Sequence, residues 1–308
     1  MWYNVFTILK RKERQMRIMN IQSLSIVVPN RRCINNCAFC VSKMHCGEFP
    51  NQMDDNGAFY DLYERDYMRR LEFARDNGCN TVMLTGNSEP QQNRQFLQHF
   101  ANMNERLHNP FKWIELQTTG VLLNDPYLRF LRNTVGVSTI SLSLSSFNDD
   151  TNRTIIGARP EVYNDIASLC AAIKKYDFNL RLSINLTKEF EENYTPVELF
   201  TEAHIKLRAD QITFRVLYSN GFSKQAEWVE NNAASDAYVA AIESYVKNNG
   251  RELEKLPFGR TKWSCEGMST VIDNDCMSTS ATADYKYLIL RENCKLYSKW
   301  DDPASLIF

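Results

Sequence analysis

The sequence predicts an α/β chain folded as a partial (β/α)6 TIM-type barrel with a small C-terminal β/loop cap. Three observations carry this. Strand-like and helix-like segments alternate about six times from Ser23 to Asn248. Such alternation makes a parallel sheet with helical crossovers. Six units fall short of the eight of a closed barrel. Beyond Lys255 the alternation gives way to short strand-like runs.

The elements follow in order. Ser23 to Val28 reads as a first strand, ended by Pro29-Asn30. Asp61 to Arg75 carries apolar positions at helical spacing, and Asn77-Gly78 stops it. Thr81 to Thr85 is a strand, Gln92 to Leu107 a helix, Trp113 to Gln117 a strand and Pro126 to Leu131 a helix. Ser138 to Ser145 alternates Ile140, Leu142 and Leu144 with serines, so it is a strand with one polar face. Val162 to Tyr176 is a helix and Leu180 to Leu186 a strand. Pro196, at the favoured first-turn position, opens a helix to Leu207. Gln211 to Leu217 is the sixth strand, and Asp236 to Asn248 a helix closed by Asn249-Gly250. In the tail, Thr270 to Ile272, Tyr287 to Leu290 and Lys295 to Tyr297 read as short strands. The expected division is an N-terminal extension over 1–22, a core barrel over 23–220, and a last helix with a capping extension over 221–308. The basic segment Lys10 to Arg17 reads as a solvated helix, with an RNA-touching arm as the alternative.

Composition excludes several classes. The chain has 308 residues, 44% hydrophobic and 24% charged, with a formal net charge of −1. That is ordinary for a globular protein, and nothing global calls for nucleic acid or an anionic membrane. No stretch approaches the ~20 apolar residues of a membrane span. Val5 to Leu9 is followed, not preceded, by Lys10-Arg11-Lys12, the wrong order for a secretory signal. A cytoplasmic protein is therefore expected. Nine scattered cysteines do not frame a disulfide scaffold in a chain of this size. Thiols kept reduced for a metal fit better.

Three cysteines stand together in Cys33-Ile34-Asn35-Asn36-Cys37-Ala38-Phe39-Cys40. Three thiolates on one short loop can hold three irons of a cubane and leave the fourth iron open. Zinc is the alternative, with His45 or Cys46 as a fourth ligand. The second feature is Thr85-Gly86-Asn87-Ser88-Glu89-Pro90, directly after the second strand. In α/β folds ligands bind at the C-terminal ends of strands, and glycine lets the backbone approach them. A plain turn and cap is the simpler reading. Strand faces supply the rest: Ser141, Ser143 and Ser145 on the fourth strand, Arg181, Ser183 and Asn185 on the fifth, Glu115, Gln117 and Thr119 on the third. An inward Arg181 or Arg215 needs an anion, either a bound ligand or a barrel carboxylate such as Glu115.

The C-x3-C-x-aromatic-C pattern, placed between a first strand and a first helix, resembles the radical S-adenosylmethionine (radical SAM) superfamily. The resemblance covers roughly residues 23–220. It implies that Cys33, Cys37 and Cys40 hold a [4Fe–4S] cluster. The methionine amino and carboxylate groups of SAM would chelate the open iron, and reductive cleavage would release a 5′-deoxyadenosyl radical. Phe39 would shield the cluster edge. Gly86 and Glu89 would correspond to the Gly-Gly-Glu-type segment that binds the SAM amino group, although Asn87-Ser88 stands where a second glycine is common. Ser143 and Ser145 would face the ribose, Asn185 would belong to the cofactor-binding set, and Arg181, Arg215 or Cys265 would meet the substrate or the SAM carboxylate. The expected partners are a small-molecule or nucleotide-like substrate and a reductant such as flavodoxin or ferredoxin. A peptide modifier with an auxiliary cluster built from Cys265, Cys276 and Cys294 is the rival enzyme. A non-catalytic Fe–S or zinc protein is the rival of another class. The sequence assigns no catalytic residue.

Overall fold

The computed structural model describes residues 20–44, 62–256, 260–273, 284–300 and 302–307. The predicted alternation is present. It opens with β1 (Asn20–Val27), the short α1 (Val41–Met44), α2 (Glu64–Asp76), β2 (Thr81–Thr85) and α3 (Arg94–Arg106). Next come β3 (Trp113–Thr118), α4 (Asp125–Phe130), β4 (Thr139–Leu144), α5 (Asp149–Ile156), α6 (Ile166–Lys175) and β5 (Asn179–Leu186). The chain continues through α7 (Lys188–Asn193), α8 (Pro196–Thr201), β6 (Gln211–Val216), α9 (Lys224–Asn232) and α10 (Asp236–Asn249). The tail supplies β7 (Arg251–Lys255), β8 (Thr261–Cys265), β9 (Met268–Asp273), β10 (Asp284–Leu290) and β11 (Leu296–Tyr297).

Strands β1 to β6 pair in sequence order, all parallel. The tail strands join the same sheet. β10 pairs parallel to β1 at one edge, and β9 parallel to β6 at the other. Eight parallel strands therefore form an open barrel wall. β11 and the β7–β8 hairpin extend the two edges antiparallel. The edges do not share a ladder. They are bridged instead by Lys286 of β10, whose Nζ lies 3.1 Å from Oδ1 of Asp273 on β9.

The strands bury two different faces. Outward residues such as Leu24, Val82, Leu116, Leu142, Leu182 and Phe214 are fully covered by the helices. They meet Leu71 of α2, Phe96 and Phe100 of α3, Ile173 of α6 and Ile242 of α10 in one apolar core. The inward face is polar and hydrogen-bonded in tiers. Low in the barrel Arg181 pairs with Glu115 and donates from Nε to Gln211 at 2.8 Å. One tier higher Arg215 donates from Nε to Ser183 Oγ at 2.7 Å. At the top Asn185 donates to Ser143 and Ser145, each at 3.1 Å. A polar interior is what an enclosed ligand site needs; an apolar one would simply be filled.

Helix ends are specified locally. Asn93, Asn124, Asn148 and Asp165 accept from the third residue of the helices they precede. The predicted helix over 196–207 is an α-helix to Thr201 that runs on as a π turn over Glu202–Lys206, started by a Thr195/Glu198 capping box.

Candidate active site

All six connections that leave β1 to β6 lie at the C-terminal end of the sheet. Those after β1, β2, β3 and β6, with the ends of β4 and β5, surround a cavity of about 980 Å³, at the upper end of the ~300–1,000 Å³ typical of small-molecule sites. Cys33, Cys37, Cys40 and Phe39 line it from the β1 loop, and Gly86 to Glu89 from the β2 loop. Ser143, Asn185 and Arg215 line it from β4, β5 and β6. Arg291, Glu292 and Trp300 reach it from the tail.

The cysteine loop is held from two sides. On one side, Gln92 accepts from the Ile34 N–H at 2.8 Å and donates to the Arg32 carbonyl at 2.9 Å. On the other, the N–H groups of Asn36 and Ala38 donate to Ile156 and Ile155 carbonyls at 3.1 and 2.9 Å. These carbonyls are the otherwise unpaired C-terminal groups of α5. Gly157 ends α5 with φ +59, and a Cβ there would meet the Asn36 carbonyl oxygen at 2.6 Å. Only glycine permits both the turn and this approach. Below, Cys37 and Ile34 pack on a small apolar cluster of Val121, Ile156 and Ala158. Above, Phe39 rests on Trp228 of α9, ring centroids 6.2 Å apart.

Glu89 is a strut. Its carboxylate, 6% exposed, accepts from Asn35 Nδ2 (3.1 Å), Thr119 Oγ1 (2.7 Å), Thr118 Oγ1 (2.6 Å), Gln91 Nε2 (2.7 Å) and the Thr119 N–H (3.1 Å). Five donors saturate it, so Glu89 ties the β1, β2 and β3 loops together. Three neighbouring polar atoms are left over, of which Gln91 Oε1 does not line the cavity. Asn35 Oδ1 and Ser88 Oγ are buried with no partner among the described residues. Buried polar groups are normally paired, and these two atoms could pair with a bound ligand.

The three thiols are half-buried and line the same cavity. Burial, with the charges of Glu89 and the neighbouring thiols, raises the Cys33 and Cys37 pKa above the ordinary range. The charge of Lys43 acts in the opposite direction on Cys37 but does not outweigh burial. Such thiols favour the thiolate only when bound to a metal. Three thiols on one wall, with orphaned polar atoms beside them, fit an iron–sulfur cluster carrying a polar organic ligand. His45, Cys46 and Cys276 lie outside the described residues.

The other predicted residues are spread more widely. Ser145 is fully buried behind Asn185 and does not line the cavity. Arg181 lies below the cavity floor, and its anion is Glu115, the barrel carboxylate alternative. Arg215 lines the cavity and has Asp273 Oδ2 at 3.7 Å. Cys265 is buried in the apolar core at the end of β8, opposite Met268 of β9 and at the other end of the sheet from the cavity. Burial raises its thiol to about 11. Sequence reasoning missed Asn35, Gly157, Trp228 and Glu292. Gly157 had a signal, since Asn148 and Gly157 bracket a short helix with acidic residues in its first turn. Glu292 had none.

Solved structures similar to this fold share little sequence with this chain. Coproporphyrinogen III oxidase (HemN) from Escherichia coli, described as a radical SAM enzyme, superposes with a TM-score of 0.52 at 13% identity over 77% of this chain. This chain matches 54% of that enzyme's length. The anSMEcpe structure with bound AdoMet gives 0.58 at 10% identity, over 90% of this chain and 73% of that one. Its complex with the Cp18Cys peptide gives 0.55 at 10% identity. These establish likeness of fold. A search of curated proteins finds no match. The family model "Radical SAM superfamily" matches residues 27–230, well over half of the chain. The matched span contains the cysteine loop, the β2 loop and all but the tail wall of the cavity. This chain is therefore an enzyme of the radical SAM superfamily, with a [4Fe–4S] cluster and S-adenosylmethionine as its cofactors.

Proposed function

We propose that the enzyme abstracts a hydrogen atom from a small-molecule or nucleotide-like substrate enclosed in the barrel mouth. The observation that carries this is the cavity itself, lined by Ser143, Asn185 and Arg215 at the strand ends and by Arg291, Glu292 and Trp300 of the tail. When bound, the reduced cluster and SAM supply a carbon-centred radical. The protein's part is to bind, orient and exclude water.

In this reading Cys33, Cys37 and Cys40 hold the cluster, and Phe39, backed by Trp228, keeps solvent from its edge. Asn35 Oδ1 and Ser88 Oγ pair with SAM. Asn185, set by Ser143 and Ser145, faces the ribose. Arg215 takes an anionic group of the substrate or of SAM. The reductant is a flavodoxin or ferredoxin, and the compartment is the cytoplasm. No helix among the described residues is long and apolar enough to cross a membrane.

The peptide-modifying alternative asks for a second cluster in the tail. Cys265 lies at the N-terminal end of the sheet, while Cys294 follows the C-terminal end of β10. A strand of six or seven residues separates those levels by ~20 Å. Both thiols are buried in the apolar core, and burial raises that of Cys294 to about 12. This favours one cluster. The test is anaerobic reconstitution followed by dithionite and SAM. 5′-Deoxyadenosine and about four irons per chain are expected. Iron loading without 5′-deoxyadenosine overturns the radical reading, and about eight irons favours the peptide modifier.

A further inference from the structure

Glu292 stands just beyond β10, outside the span that matches the family, and is 1% exposed. A hydrogen-bonded turn presents it. β10 runs parallel to β1 and returns through β11. Within the turn the Arg291 N–H donates to the Lys295 carbonyl at 3.1 Å, and the Cys294 N–H to the Arg291 carbonyl at 2.9 Å. The turn therefore opens at the same end of the sheet as the cysteine loop, and Glu292 lines the cavity there. Its Oε1 accepts from Asn87 Nδ2 at 3.1 Å. Asn87 Oδ1 in turn accepts from Ser42 Oγ at 3.2 Å, two residues past Cys40. Oε2 is buried with no partner among the described residues, so Asn87 is the side chain that Glu292 holds.

The β2 loop is thus clamped at two points. Glu89 ties one end to the β1 and β3 loops. Asn87 ties the other to the tail and to the segment after Cys40. Ser88 lies between the clamps, with its Oγ buried and unpaired among the described residues. We propose that Glu292 is a positioning residue for SAM, acting through Asn87 to set the β2 loop, and with it Ser88, against the cofactor. The inference rests on the radical SAM reading. The reason is geometry. With both neighbours anchored, Ser88 is held in one place before the ligand arrives, and a preorganised loop loses little freedom on binding. Without Glu292 the Asn87 amide loses its acceptor, and the loop keeps the Glu89 clamp alone. Asn87 also stands where a second glycine is common in the family, and a glycine offers no side chain to clamp. The Asn87–Glu292 pair is therefore a device of this chain, joining the tail to the cofactor loop.

The test uses the anaerobically reconstituted full chain without reductant, so that SAM stays intact. Iron, sulfide and Tm are measured for each protein, and SAM affinity by equilibrium dialysis. Glu292→Ala should weaken SAM about ten-fold, the effect of one buried donor left without its acceptor. Glu292→Gln keeps a carbonyl acceptor for Asn87 and should stay within about two-fold of wild type. Asn87→Asp sets two carboxylates face to face and should weaken SAM at least as much as Glu292→Ala. Combining Asn87→Asp with Glu292→Gln reverses the polarity of the pair. An amide from the tail then donates to a carboxylate that still accepts from Ser42. This double variant should regain most of the affinity lost in Asn87→Asp. Unchanged SAM affinity in cluster-loaded Glu292→Ala overturns the proposal. So does a double variant no better than Asn87→Asp, because pairing is then not what sets the loop. A fall in iron or Tm that tracks the SAM loss from variant to variant also overturns it and assigns the pair to folding. Should Glu292→Ala fail to fold, the comparison of Asn87→Asp with the double variant carries the test alone. Failure of the underlying reading shows separately, as absence of 5′-deoxyadenosine from the wild type given dithionite and SAM.

Discussion

The cysteine loop and the barrel seam stand on the same sheet and are held by opposite means. The loop is fixed by backbone groups: two N–H donors to the end of α5 and a side-chain clamp from Gln92. The seam between β9 and β10 has no ladder and is bridged by side chains around Asp273. Backbone hydrogen bonds fix position to fractions of an ångström. Long cationic side chains hold charge near charge but permit movement. The end that would hold a cluster is thus rigid, and the side that closes over a substrate is adjustable.

The comparison breaks first at the thiols. Cys37 packs on the small apolar cluster of Val121 and Ile156. In Cys37→Ala, iron and sulfide should fall to background after reconstitution, while the apo fold, whose main core lies outside the barrel wall, persists by circular dichroism. Wild-type iron and sulfide in that variant would refute its assignment as a ligand.

Gly157→Ala should have the next largest effect. The substitution puts a Cβ 2.6 Å from the Asn36 carbonyl oxygen at a backbone φ of +59. The strain is of order 1–3 kcal/mol, and it falls on the loop rather than on the core. Partial cluster retention and a lower Tm are expected. Gly157→Asn separates the causes, because asparagine tolerates the left-handed backbone but carries the same Cβ. Equal losses in both variants assign the effect to the contact; a milder loss in Gly157→Asn assigns it to the backbone.

The cysteine loop and the six core units were legible because their signals are local: thiol spacing, strand alternation and caps. Position along a strand was not. Alternation placed Arg181, Ser183 and Asn185 on one face, but each pair of residues climbs ~6.6 Å. Height therefore divided them, Arg181 to the Glu115 pair and Asn185 to the cavity. Ser145 fell behind Asn185 for the same reason. α5 was missed because its polar stretch, Asn148 to Arg153, has little apolar period, although its caps were visible. The tail was read as a cap, while β9 and β10 pair with strands over 50 and over 250 residues away. No local pattern encodes such pairing. β7 was hidden because every residue in it is exposed, leaving no apolar alternation.

Asp273→Asn should have the smallest effect and test the seam alone. Asp273 faces Lys286 Nζ at 3.1 Å, Arg215 at 3.7 Å and Arg260 at 3.8 Å. Burial by itself raises the Asp273 carboxyl, but the three cations outweigh it and hold the pKa below the ordinary value. A depressed carboxyl contributes stability above its unfolded pKa, ~3.9, and loses it as pH falls through the folded value. The cations are a fifth to a third exposed, so water and salt screen the cluster. A loss of about 1 kcal/mol, or roughly 2 °C in Tm, is expected for Asp273→Asn at neutral pH. The difference between variant and wild type should hold from neutral pH to about pH 5, shrink as pH falls past the unfolded value, and vanish only once pH has fallen through the lower, folded value. Because both proteins lose any acid-labile cluster alike, the difference isolates the seam. Cluster content at neutral pH should match wild type. A fall in iron of the size seen in Gly157→Ala would mean that the seam and the loop are one mechanical unit, and the division between a rigid and an adjustable side would fail.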